Sequence, residues 1–178
     1  MFRLILKYGV YAGAFVGAVL FGTTIAMAGH PPPSWGVAFG YLSMLIALSA
    51  VFIGIKRHRD EDLGGVIRFW RAFGMGLAIS FVAGVFYVLA WELALAVTKL
   101  DFAETYSKML IEQQKAKGIS GEALARFVTE LEQFKTAYKN PLFRLPMTFV
   151  EIFPVGVLVS LVSAGLLRNS RFLPLRRG

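Results

Sequence analysis

The chain has 178 residues, of which 56% are hydrophobic and 17% charged, and its mean hydropathy is +0.61. A soluble domain runs nearer about 45–50% apolar and about 25% charged, so a compact body solvated by lipid is expected and an ordinary aqueous globule is excluded. The formal net charge of +8 lies at the ends of apolar runs rather than on one exposed face, which argues against nucleic acid as a partner; the absence of cysteine removes disulfides, thiolate nucleophiles, Cys-based zinc sites and iron–sulfur clusters.

A helix rises about 1.5 Å per residue and a hydrocarbon core is about 30 Å thick, so about 20 apolar residues cross it. Residues 8–28 form the first such run, 21 residues without a charge. Arg3 and Lys7 before it and Ala26-Met27-Ala28 at its end have the form of a secretory signal. The run exceeds the roughly 7–15 residues of a signal core, so a retained span is expected. Gly9, Gly13 and Gly17 recur every four residues along one face, the pattern of small residues that lets two helices approach closely. Their neighbour is either another span of the same chain or a second copy in a homo-oligomer. His30-Pro31-Pro32-Pro33 cannot continue a helix, and residues 35–55 form the second span.

Lys56 to Arg71 reads as a short elbow, in which Gly64-Gly65 lets the chain turn and Phe69-Trp70 anchors its return at the interface. Its five basic residues also offer an anionic-lipid site, although any protein of this topology shows such charges. Gly64-Gly65 lacks the lysine and spacing of a phosphate-binding loop.

The third span, residues 72–98, holds Glu92 as its one ionisable group. Residues 101–140 are polar and predict two helices, one reaching about Lys117 and one from about Gly121 to Lys139, with Gly118 as a C-cap, Ser120 as an N-cap and Pro141 as a stop. Phe127, Leu131, Phe134 and Tyr138 fall on one stripe, and Phe102, Tyr106 and Met109 begin its match. Glu104–Lys108 and Glu122–Arg126 are i,i+4 pairs. An antiparallel hairpin whose stripes bury each other is expected; the alternative is a docking surface for a partner or a second copy. The fourth span, residues 145–167, holds only Glu151. The fold class is therefore all-α: a four-helix transmembrane bundle, one membrane domain over residues 1–178, with an extramembrane helical hairpin between the third and fourth spans.

Eleven Lys and Arg residues flank the side that carries the termini and the elbow, against three acids, a net of +8; the hairpin side has eight against six, a net of +2. By the positive-inside rule both termini and the elbow are expected in the cytoplasm and the hairpin outside.

Ionisable groups within membrane spans are costly and point to function. Glu92 and Glu151 each stand six residues from the outer end of their spans, so equal depth and mutual facing are expected. Two turns further out are Lys99 and Arg144, and Pro154 frees the carbonyl of Val150 near Glu151. Facing carboxylates would share a proton and suit proton-coupled transport or cation binding. The plainer reading has each carboxylate reach toward a headgroup, Lys99, Arg144 or a helix end and fix packing only. Tyr41 is the expected hydrogen-bond partner in the second span. His30 and His58 fall on opposite sides by this topology, no metal-ligand cluster is present, and no hydrolase, zinc-protease or nucleotide-loop motif occurs.

Several segments read together carry a family likeness: Gly40-Tyr41-Leu42-Ser43-Met44-Leu45-Ile46-Ala47, Gly54-Ile55-Lys56-Arg57-His58-Arg59-Asp60-Glu61, Trp91-Glu92, and Asn140-Pro141-Leu142-Phe143-Arg144 running into Met147-Thr148-Phe149-Val150-Glu151-Ile152-Phe153-Pro154-Val155-Gly156. They resemble a bacterial membrane family described only as a domain of unknown function, number forty-one ninety-nine. The resemblance implies a bacterial four-span membrane protein of this size and carries no activity to transfer, although both glutamates fall in its motifs; the expected location is the bacterial inner membrane. The expected function is non-enzymatic: binding or moving a small solute, ion or lipid through an outer-half pocket lined by Glu92 and Glu151. The competing class is a structural or assembly partner whose hairpin docks another membrane or periplasmic protein. The lipid bilayer is the expected environment, and no cofactor is readable.

Overall fold

The computed structural model describes residues 1–27 and 35–174. The proline break at 30–33, Ala28, His30, Arg176 and Arg177 lie outside the described residues. The elements are α1 (Phe2–Ala26), α2 (Gly36–Arg57), which runs on into a π-helical turn (His58–Asp62), α3 (Phe69–Thr98), α4 (Phe102–Ala116), α5 (Gly121–Tyr138) and α6 (Pro141–Leu167). Among the described residues every regular element is helical. Four of these helices, α1, α2 with its π-helical turn, α3 and α6, are long and apolar enough to cross a membrane, the architecture of a multi-pass membrane protein. Their low amphipathicity fits a lipid-facing exterior, because a helix surrounded by hydrocarbon needs no polar face.

α3 packs along α1 and α6, and α2 closes the ring against the same two helices. The α1–α3 seam is parallel. A Cβ on Gly9 would lie 2.6 Å from the Val82 Cβ, on Gly13 2.5 Å from the Phe86 Cβ, and on Gly17 3.1 Å from the Ala90 Cβ. The close neighbour of the glycine stripe is therefore α3 of the same chain. The α3–α6 seam is antiparallel and reciprocal: a Cβ on Gly76 would meet the Ser160 Oγ at 2.7 Å, and one on Gly156 the Ser80 Oγ at 2.7 Å. In a membrane such small residues matter because helices associate through close packing rather than a hydrophobic drive.

At one end of the bundle Gly64 and Gly65 take φ of +63° and +94°, conformations open to glycine, and the chain turns into α3. At the other end α4 and α5 pack on each other. Gly118, at φ +81°, ends α4; the Asp101 carboxylate caps its start by accepting from the Glu104 amide at 3.0 Å. Pro141 ends α5 and also opens α6, because at the first helical position its missing N–H costs nothing. α6 thus begins four residues before the apolar run that starts at 145.

Phe102, Tyr106, Phe134 and Tyr138 form one aromatic cluster, with neighbouring ring centroids 5.4–6.4 Å apart. The Lys135 Nζ donates to the Glu104 carboxylate across the pair at 2.8 Å. Hydrogen bonding to Lys135, then Lys108, holds the Glu104 carboxyl below its usual range, and bonding to Glu104, then Glu132, raises Lys135. The Glu104 contribution is present above its unfolded value and lost as pH falls through the lowered one; that of Lys135 is present below its unfolded value and lost as pH rises through the raised one. Amide exchange should accordingly show α4 and α5 loosening below about pH 4 and in high salt, while α1–α3 protection is unchanged.

Candidate functional site

The register of α3 against α6 decides where the polar groups meet. Arg144 falls in the first turn of α6 because that helix opens at Pro141, and this brings it level with Glu92. Its Nε donates to Glu92 Oε1 and its Nη2 to Glu92 Oε2, each at 2.6 Å. This is a bidentate fork, the stronger form of a charged hydrogen bond, with side chains only 18% and 28% exposed. The Arg144 Nη1 also donates to the Tyr138 carbonyl at 3.3 Å, and the guanidinium stands 5.7 Å from the Tyr138 ring centre. The Tyr138 hydroxyl in turn accepts from the Trp91 Nε1 at 2.8 Å. α3, α5 and α6 are thereby tied at one joint.

Glu151 sits elsewhere. Its Oε2 accepts from the Tyr87 hydroxyl at 3.0 Å, and Tyr87 is five residues, about 7.5 Å of rise, deeper along α3 than Glu92. The expectation of two carboxylates at equal height around a shared interior is corrected. Each has its own partner, because the fourth helix begins a turn earlier than the charge-free run suggested. Tyr87 is buried, at 5% exposed, whereas Glu151 is exposed at the bundle surface.

The remaining expected site residues fall as follows. Tyr41 is 52% exposed and makes no side-chain hydrogen bond among the described residues; Tyr87 takes the part foreseen for it. Lys99 closes α3 in the left-handed conformation at φ +51° and does not reach Glu92. Pro154 lies within α6, one turn below Glu151, and leaves the helix continuous.

At the opposite end Arg59, expected as one more flanking charge, is 0% exposed. Its Nη1 and Nη2 donate to the carbonyls of Phe172 and Leu173 at 2.9 and 2.6 Å, and its Nε to Asp60 at 2.7 Å. It clamps the segment after α6 beneath the bundle. Lys56 pairs with Asp60 and Arg57 with Glu61, so three of the five elbow cations foreseen as an anionic-lipid site are already engaged. Asp60 is a local partner, but nothing local in the sequence marks Arg59 as buried, since the two carbonyls it clamps lie more than a hundred residues away. Tyr87 did leave a signal, a polar-tipped aromatic four residues before Trp91 on the same face.

The model of a protein family described as "Protein of unknown function (DUF4199)" matches residues 7–169. No curated protein and no solved structure matches the chain.

Proposed function

The chain belongs to the DUF4199 family of proteins of unknown function, and from that premise we propose that it is a non-enzymatic membrane protein that binds or moves a small solute along the hairpin half of the bundle, with Glu151, at the bundle surface beside Tyr87, as the binding group. A proton or a small cation suits a carboxylate backed by a phenol. The supporting observation is that Glu151 lies within an apolar span with Tyr87 as its hydrogen-bond partner and, among the described residues, no cation in ion-pair range. Placing a charge in such a span costs about 2.5–3.5 kcal/mol on insertion scales, so it defaults to a functional role. Glu92 is different, because Arg144 neutralises it and ties it into the joint.

The charge asymmetry supports an orientation with both termini inside and the hairpin outside, and the membrane proposed is the cytoplasmic membrane of a bacterium. The competing reading, an assembly partner that docks through the hairpin, has less support, because the aromatic residues of α4 and α5 pack on one another.

The test is proton flux into liposomes that carry the full chain and an internal pH-sensitive dye, under an imposed sodium or potassium gradient. Wild-type protein should exceed empty liposomes, Glu151→Gln should abolish the excess, and Tyr87→Phe should reduce it about tenfold by removing one hydrogen bond to a charged group. Flux unchanged in Glu151→Gln would overturn the reading.

A further inference from the structure

A second polar feature stands apart from Glu151. Where α3 ends and α4 begins, a cleft of about 340 Å³ opens against the end of α5 and the start of α6, within the range of about 300–1,000 Å³ typical of small-ligand sites. Its lining combines Lys99, Lys139 and Arg144 with Leu95, Leu100 and Phe102. The Asp101 carboxylate, also on its wall, is committed to the α4 cap, and Arg144 to Glu92. The two lysines are uncommitted: neither makes an ion pair among the described residues.

Their placement is selective. Lys108, Lys115, Arg126, Lys135 and Arg144 all pair with carboxylates, so the hairpin side keeps its excess positive charge on Lys99, Lys117 and Lys139. Two of those three converge on this one cleft. Lys99 is also held at φ +51°, a left-handed conformation that is costly for a lysine and that glycine would adopt freely. A cation kept in a strained position beside a cavity is the kind of outlier from which function is inferred.

We propose that this cleft binds a phosphate anion carried on an amphiphile, the headgroup of an anionic phospholipid, with Lys99 and Lys139 as its ligands and the Leu95–Leu100–Phe102 wall against its apolar part. The position fits, because the cleft lies where two apolar spans give way to polar chain, the level at which lipid phosphates stand.

The experiment is native mass spectrometry of the full chain released from nanodiscs of phosphatidylglycerol mixed with phosphatidylcholine. Wild-type protein should retain phosphatidylglycerol in preference. Each lysine neutralised should weaken retention about fivefold, and Lys99→Gln with Lys139→Gln together about 25-fold. Lys99→Gly separates binding from folding, since it should lose about fivefold in retention while its thermal midpoint holds or rises. Displacement of the lipid by added inorganic phosphate would extend the site to free phosphate, and retention in its presence would assign the site to the lipid alone. Equal retention of the two lipids, or undiminished phosphatidylglycerol in the double variant, would overturn the proposal, and neither result bears on the Glu151 flux.

Discussion

Arg144→Leu is expected to destabilise the protein by about 3–5 kcal/mol, the cost of leaving a half-buried carboxylate without its partner. Glu92 would lose both short hydrogen bonds, and Tyr138 the donor to its carbonyl and the cation beside its ring. For a chain of this size that is a fall of roughly 10 °C or more in the thermal midpoint, read in detergent micelles. The double variant Arg144→Leu with Glu92→Leu should recover most of the loss, because an apolar pair in place of a buried ion pair is often neutral. Recovery would identify the pair as a structural tie; a double variant as unstable as the single would place the cost in the Tyr138 contacts instead.

Gly13→Leu should have an effect of similar size by a different route. Its Cβ would stand 2.5 Å from the Phe86 Cβ and 3.2 Å from the Ala83 Cα, and neither atom can swing aside as a flexible side-chain end could. α1 and α3 would have to separate along their whole seam. Overpacking costs about 1–3 kcal/mol for a few added methylenes and more where the obstacle is so close to backbone. Gly22, on the same helix, has no heavy atom within 4 Å of its would-be Cβ, so Gly22→Leu should leave the stability within about 0.5 kcal/mol of wild type. The contrast between the two isolates packing from helix propensity, to which both substitutions contribute alike.

The spans were legible because a helix that faces lipid must be apolar for about 20 residues, and four runs meet that condition. Register was not legible. Where the fourth helix begins depends on Asn140 capping it and Pro141 standing first, and counting from the last charge places Glu151 level with Glu92 when it lies deeper. The glycine stripe of α1 was readable as a close-packing face, but not which helix it meets. The same pattern on α3 and α6, Gly76 with Ser80 and Gly156 with Ser160, is equally present in the sequence but harder to recognise. Its serines look polar in isolation and are small only in context. Arg59 shows the limit most plainly, because the distant carbonyls that two of its guanidinium nitrogens reach leave no periodic trace.

The distinction between a structural glutamate and a binding glutamate is open to one direct comparison: thermal stability and gradient-driven proton flux measured on the same preparations of Glu92→Gln and Glu151→Gln. The account predicts that Glu92→Gln melts early, yet still conducts while folded, and that Glu151→Gln melts with wild type and conducts no better than empty liposomes. A folded Glu151→Gln protein with full flux would contradict it.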